Sequence, residues 1–418
     1  MKWHVLFGGF VAYMVDAAEI SVLAIALPNL TADLGISVGQ AGLLATAGWI
    51  GIGVSGIAMG WFADNFGRRR ALIGSLLTFG VATALFGLLP ASYSVLLLLR
   101  LIAGVGLGGV WAILSAYVAE TWPAHQRGRV TLYVLSAYPV GAALAAFVGG
   151  ILLPDWRMLF IVFGVGALFP AVYAFLFIPE SPQWKSEQER TSAGTAGPAH
   201  VSVAEIFREP LLRQTVVGTV AATLALFAYI GLLTWLPTFL VNERGLTAAT
   251  AAQYLIVFNA GVFLSYFIFG WVADKMGKRI ALMVSLALAA VLLSFYTFVP
   301  AVDVLRWYGG VLGLSLVFAG LMGSYFSEIY PVRVRTTGAG FCFNVGRLIA
   351  SLSPLVLAGA VGAVGYAGAL LIAAALFALA AASLTFMPKG SALPCNEIND
   401  LPLAVAPASK QFDGGARA

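Results

Sequence analysis

The chain has 418 residues, of which 61% are hydrophobic and only 10% charged, with a formal net charge of +5. A soluble domain carries roughly 25% charged residues, because it must present a polar exterior to water. That excludes a soluble globular protein and makes the bilayer the natural solvent, in line with a mean hydropathy of +0.94. The excess of cations does not point to nucleic acid, because the cations sit in short runs between apolar segments, as membrane topology requires. Two cysteines, Cys342 and Cys395, form neither a disulfide framework nor a zinc pattern.

Runs of about 20 apolar residues suffice to cross a ~30 Å hydrocarbon layer. Twelve are read in chain order, each expected as a helix that satisfies its own backbone. The first, 4–28, is too long for a signal h-region and carries Asp16 and Glu19 in its middle. The second, 39–63, leads into GWFADNFGRRR (60–70), and 71–90 is the third. The fourth, 93–119, holds Arg100 and a Gly104–Gly108 step of the kind that lets membrane helices approach closely. AETWPAHQRG (119–128) follows, then spans at 129–153 and 157–178. Residues 179–210 are polar and read as a linker. Span seven, 212–241, contains Tyr229 and Trp235; span eight, 247–273, contains Asn259 and runs into GWVADKMGKR (270–279). Spans at 280–299 and 303–329 precede SEIYPVRVRTTG (327–338). Span eleven, 337–360, contains Asn344 and Arg347, and span twelve is 364–387. Residues 388–418 have the composition of a disordered tail.

The expected fold is therefore an all-α integral membrane protein with twelve helices in two six-helix bundles. The domains are 1–178, a linker at 179–210, a second bundle at 211–387 and a tail at 388–418. Of the 23 Lys and Arg, Arg157, Arg244 and Arg306 fall in one set of loops, Arg100 and Arg347 fall inside spans, and the rest lie in the other loops or the termini. The positive-inside rule then places the linker, both termini and the cation-rich loops in the cytoplasm, and the chain in the plasma (inner) membrane.

The halves repeat. Asp64 and Asp274 stand 210 positions apart in the two GW-x-x-D loops, and Glu120 and Arg127 recur as Glu328 and Arg335. Two bundles in one orientation are a parallel repeat, with a substrate site between them near midplane. Both loops resemble the G-x-x-x-D-[RK]-x-G-[RK]-[RK] signature of major facilitator transporters, the first with Asn65 at the cation position. On their own such loops set topology. The resemblance implies that Asp64, Gly67, Arg68, Asp274, Gly277 and Lys278, with Glu120, Arg127, Glu328 and Arg335, latch one state of a transport cycle.

An ionisable group at bilayer depth is a functional-site hypothesis by default. Asp16 and Glu19 share a face of span one, and Arg347 lies ten residues into span eleven with Asn344 on its face. Arg100 shares a face with Gly104 and Gly108 and reads equally as packing. The histidines, His4, His125 and His200, lie near or in the aqueous cytoplasm, so Asp16 and Glu19 are the candidates to carry a proton. Arg347, with Arg100 second, is the candidate for an anion, since a guanidinium grips a carboxylate bidentately. Tyr138, Tyr229, Trp235, Asn259 and Asn344 complete a candidate lining, each also readable as packing.

MVDAAEISVLAIALP in span one, GAGFCFNVGRLIASLSP in span eleven and YIGLLTWLPTFL in span seven resemble the aromatic-acid and related metabolite:proton symporters of that superfamily. Asp16 matches the first acid of the group's D-G-x-D pattern; Glu19 stands at its second acid and Ala17 at its glycine. Arg347 and Arg100 match the arginines of spans eleven and four. Lactate-, sialate- and nicotinate-type relatives share much of this pattern. The resemblance implies proton-coupled uptake of a small carboxylic acid by a monomer in lipid, with the proton as coupling ion and no other cofactor, metal or nucleic acid. Sugar uptake is the nearest alternative, because IPESPQWK (178–185) resembles a sugar-porter motif, although the spans offer few amides. Efflux by antiport is another, on a loose match of YPVGAALAAFVGG (138–150). No nucleophile–base pair, metal cluster or phosphate loop suggests an enzyme.

Overall fold

The computed structural model describes residues 2–90, 92–122, 130, 133–181, 184–185, 203–331 and 334–388. Arg127, most of the linker and the tail beyond residue 388 lie outside them. Among the described residues all regular structure is helical. Span one is Lys2–Leu34, followed by Val38–Phe66, Arg68–Leu88, Tyr93–Thr121 and Ala137–Leu152 as spans two to five. Span six is two stacked helices, Trp156–Gly166 and Leu168–Phe177. In the second half, spans seven to nine are Leu212–Asn242, Ala248–Met276 and Lys278–Phe298. Span ten is again broken, into Val302–Gly313 and Phe318–Ile329. Span eleven begins as Arg335–Ala350, and the helix Ser353–Ser383 completes it and forms span twelve.

That last helix turns at Gly365, where φ is 70° and ψ 178°. The apolar stretch Thr337–Phe386 is one of 11 membrane-length stretches among the described residues, but at 50 residues it is long enough to cross twice. The ends confirm the return. Lys278 at the start of span nine pairs with Glu328 at the end of span ten, and Arg279 donates to Leu384 O (2.9 Å) and Thr385 O (2.7 Å) at the end of span twelve. The start of span eleven and the end of span twelve thus lie on one side of the molecule. Glu243 covers the restart on the opposite side, accepting from the backbone N–H groups of Tyr366 and Ala367.

The repeat seen in the loops extends to the devices that end helices. Ser37 and Thr247 each cap the following helix through a side-chain oxygen, on Gln40 N and Thr250 N, both at 3.2 Å. Gly67 and Gly277, with φ of 103° and 83°, make the tight turns between spans two and three and between spans eight and nine. Arg68 pairs with Glu120 at 3.0 Å as Lys278 does with Glu328. Tyr117 donates to Pro179 O (3.3 Å) and Tyr325 to Pro388 O (2.6 Å). In the first half Glu180 also caps span three, accepting from Arg68 N (2.8 Å) and Arg69 N (3.2 Å). An acid near the positive end of the helix dipole stabilises it.

Small residues bring spans together within each half. A Cβ on Gly104 would overlap the carbonyl of Gly48, and one on Gly108 would overlap that of Ile52, so spans two and four touch backbone to backbone. Gly261 and Gly313 do the same for spans eight and ten. Gly104→Val is expected to cost about 1–3 kcal/mol of stability through overpacking, whereas Gly74→Ala, where a Cβ meets nothing within 4 Å, leaves it unchanged. Thermal unfolding in detergent checks both, and an unshifted Gly104→Val transition would refute the close approach.

The halves meet toward the side opposite the linker. A Cβ on Gly42 would lie 2.8 Å from Ala358 Cβ and from Pro354 O, one on Gly53 would lie 3.0 Å from Leu348, and one on Gly150 would lie 3.2 Å from Ala252. Leu355 N donates to Thr46 Oγ1 across the same seam at 3.2 Å. The ion pairs of the linker side, Arg68–Glu120 and Lys278–Glu328, stay within one half.

Candidate functional site

Span one carries the two acids, and the structure gives them different surroundings. Glu19 is fully buried and its Oε1 accepts from Arg100 Nη1 at 2.6 Å and from Thr83 Oγ1 at 2.8 Å. This pair ties spans one, three and four of the first half together. A guanidinium and a carboxylate at that distance, with a hydroxyl on the same oxygen, satisfy much of each other's lost hydration. Arg100 still has an edge on open space. It lines a small chamber with Gly48, Trp49 and Thr234, and its Nε has no hydrogen-bond partner.

Asp16, three residues earlier, has no such partner. It is 4% exposed, and its Oδ1 makes no hydrogen bond. The charge of Arg347, on span eleven of the other half, acts on Asp16, Tyr13 and Tyr138. Arg347 forms no ion pair among the described residues; its guanidinium lies over the Phe343 ring, 5.3 Å from the centroid. Tyr13 packs on Tyr138 with centroids 6.0 Å apart, and Tyr229 of the second half lies close to Tyr138. An unpartnered carboxyl and an uncommitted guanidinium thus face one group of tyrosines where the halves meet.

From Tyr138 a cavity extends toward the sealed side; counted together with its open mouth, the space free of protein atoms is about 520 Å³. Its walls come from both halves: Ile20 and Ser21 of span one, Trp49 of span two, Tyr138 of span five, Thr234 of span seven, and Phe258 and Asn259 of span eight. Mostly apolar walls with a few placed polar groups are the usual make-up of a small-molecule site.

Not every candidate lining residue reaches this site. Tyr138 and Asn259 line the cavity. Tyr229 belongs to the tyrosine group and packs edge-on to Phe318, centroids 5.4 Å apart. Asn344 lies one turn from Arg347 toward the linker side and is exposed. Trp235 does not line the cavity: it is 1% exposed, and its Nε1 donates to Pro354 O at 3.2 Å, between spans seven and eleven. The structure adds residues that sequence reading missed. Tyr13 had a signal, being one turn from Asp16 on the same face. Thr234 and Trp49 had none, since nothing in an apolar span marks which polar group meets a cavity.

Of the signature residues, Gly67, Arg68, Glu120, Gly277, Lys278 and Glu328 form the turns and ion pairs described above. Arg335 is exposed, with Nε on Tyr330 O at 3.4 Å. Asp274 is exposed in the last turn of span eight. The Asp64 side chain lies outside the described residues.

Residues 6–354 match the model of the Major Facilitator Superfamily. The chain belongs to that superfamily. As a major facilitator transporter, and not an enzyme, it takes a small-molecule substrate through a multi-pass membrane fold. It is 30% identical to a putative metabolite transport protein of Haemophilus influenzae, covering 94% of this chain and 98% of that one. It is 29% identical to the cis,cis-muconate transport protein of Acinetobacter baylyi, covering 85% and 87%. A crystal structure of a bacterial homolog of the human lysosomal transporter Spinster, inward-facing and unoccupied, has the same fold at a TM-score of 0.74, 18% identity and coverage of 92% and 96%.

Proposed function

We propose that this transporter takes up a small organic acid anion together with a proton, by alternating access between its two bundles. The observation that carries the reading is Asp16, 4% exposed with no hydrogen bond to its Oδ1, and close to Arg347 of the other half, a cation without an acid at ion-pair distance among the described residues. Asp16 takes the proton. Arg347 takes the substrate carboxylate, and the hydroxyls of Tyr138 and Tyr229 donate to it. While Asp16 is charged it competes with the substrate for the field of Arg347; once protonated it leaves that field to the anion. Proton and anion are then coupled without a further device, and the proton is the coupling ion, with no other cofactor. Glu19 and Arg100 serve as a fixed pair that holds span one against span four, with Arg100 presenting one edge to the smaller chamber.

The relative named for cis,cis-muconate transport supports an organic acid as cargo. The cation excess of the linker-side loops supports cytoplasmic termini in the inner membrane. On that orientation, contacts concentrated on the opposite side describe the inward-facing state, and one chain holds the whole pathway as a monomer. Uptake into proteoliposomes under an imposed inward proton gradient tests the reading, with a panel of carboxylates, sugars and organic cations. A carboxylate is expected to accumulate and to leak out when a protonophore is added. Accumulation of a sugar or a cation in its place would overturn it.

The latch follows from the same cycle. When the linker side closes, Asp274 gains neighbours that it lacks in this state. Asp274→Asn is therefore expected to slow transport several-fold with little loss of substrate affinity. Equilibrium binding that fell as far as the rate would refute the latch.

A further inference from the structure

We propose that Thr46 of span two sets how readily the halves part on the side opposite the linker, by supplying the partner for a backbone N–H that a break in span eleven leaves free. The inference rests on the alternating-access reading above and names a positioning residue for one of its two gates. The break has a local cause. Pro354 has no N–H, and its ring crowds the carbonyl four residues back, so the helix Arg335–Ala350 ends and a new one starts at Ser353. The first hydrogen bond after the restart runs from Val356 N to Leu352 O at 3.0 Å. Leu355 N lies one residue before it, among the donors that a helix start leaves without an intrahelical partner. Span seven of the same half holds its neighbours: Ser353 Oγ donates to Phe227 O at 2.6 Å, and Trp235 Nε1 to Pro354 O at 3.2 Å. Leu355 N is met instead from the other half, by Thr46 Oγ1 at 3.2 Å. A threonine oxygen is a common partner for such a donor, but a cap ordinarily comes from the residue just before the helix. This one is 309 positions away and parts whenever the halves part.

The internal repeat separates this bond from the packing around it. Gly42 and Ala252 stand 210 positions apart, as Asp64 and Asp274 do, and Gly150 and Ala358 stand 208 apart, as Glu120 and Glu328 do. The two close contacts of the seam, Gly42 on Ala358 and Gly150 on Ala252, are therefore one contact made twice. The residue matching Thr46 in the second half is Ile256, and the residue matching Pro354 in the first half is Ala146, inside the unbroken helix Ala137–Leu152. Small residues close both arms of the seam, whereas the proline break and the threonine that answers it stand on one arm.

Thr46 is 1% exposed, which leaves water little access to the bond while the seam is shut. When the halves part, Leu355 N exchanges the threonine oxygen for entering water, and such an exchange is close to neutral. With valine at position 46 the shape is kept and the acceptor is gone. Leu355 N then lacks its partner in the shut seam, where an unmet backbone donor at membrane depth is costly, and gains one from water on opening. The balance moves toward the state open on that side.

The test reads opening as the rate at which a buried thiol is modified. Ala252→Cys places that thiol on the other arm of the seam, at a position 2% exposed. Cys395→Ser removes the thiol of the tail, and the native Cys342, buried within the second half, reports opening by unfolding. The purified protein carrying both changes is treated with a water-soluble maleimide, and the two sites are followed by peptide mass. Adding Thr46→Val is expected to speed modification at position 252 about tenfold, the effect of one lost hydrogen bond, and to leave Cys342 unchanged. Thr46→Ser, which keeps the hydroxyl, should stay near the rate with threonine. Equal rates at position 252 with threonine and with valine would overturn the proposal. Acceleration of position 252 and Cys342 alike would also overturn it, making Thr46 a structural residue, as would a Thr46→Ser rate that matches Thr46→Val. If position 252 reacts no faster than Cys342 in every variant, the seam opens only by unfolding. The alternating-access reading then fails, a result distinct from a seam that opens equally with and without the hydroxyl.

Discussion

Asp16→Asn abolishes accumulation driven by a proton gradient, while the protein stays folded and still exchanges substrate across the membrane at equal pH. The expectation follows from what Asp16 lacks. Its carboxyl is 4% exposed and one oxygen makes no hydrogen bond, so an amide of the same shape leaves no partner stranded. What is lost is the ability to gain and release a proton between the halves. Glu19 provides the contrast, one turn along the same helix. Glu19→Gln leaves Arg100 buried beside a neutral group, and breaking a buried pair on one side costs about 3–5 kcal/mol. The first variant is therefore expected to purify normally and fail only in coupling, the second to unfold at a lower temperature. Uptake into proteoliposomes, beside thermal unfolding in detergent, separates the two. Wild-type accumulation by Asp16→Asn under a pH gradient would sink the assigned role.

The different fates of these two acids show what the sequence could convey. Twelve crossings, the two-fold repeat and the ionisable residues at depth were all legible, because hydropathy, loop charge and spacing are local properties. Pairing is not local. The partner of Glu19 is Arg100, 81 positions away, and the hydroxyl on the same oxygen belongs to Thr83, 64 positions away. Spacing put Asp16 and Glu19 on one face of span one, but it could not say which of them a third helix would satisfy. Trp235 was misplaced for a related reason. A soluble helix shows by its polar face which side is buried; a membrane helix is apolar all round, so the side that meets a cavity carries no mark. The breaks within spans six and ten escaped notice for the same reason, since hydropathy is continuous across both. The end of span one was read short as well, at residue 28 where the helix runs to Leu34, because hydropathy marks the lipid-facing length and not where the helix stops.

Arg347→Lys is expected to lose most of the anion binding although the charge is kept. Arg100 is already matched by Glu19 at 2.6 Å. Among the described residues Arg347 has no acid within ion-pair distance, and at membrane depth a cation in that condition is costly unless something completes its surroundings. The Phe343 ring beneath it, 5.3 Å from Cζ, supports the planar guanidinium on one face. Its N–H edge is then left to grip both oxygens of a carboxylate, whereas an ammonium is a compact, more strongly hydrated point charge that makes no such fork. Losing one charge-assisted hydrogen bond of the two costs about 1.5–3 kcal/mol, a ten- to hundredfold loss in affinity. Calorimetry on the purified protein at two pH values checks both parts of the scheme. Wild-type affinity for the anion is expected to rise as pH falls, for as long as the ligand stays ionised, because protonation of Asp16 removes its competitor for Arg347. In Asp16→Asn that dependence should vanish with affinity fixed at the high value, and in Arg347→Lys affinity should be low at both pH values. Near-equal affinity in wild type and Arg347→Lys would make Arg347 a structural cation, with the anion held elsewhere.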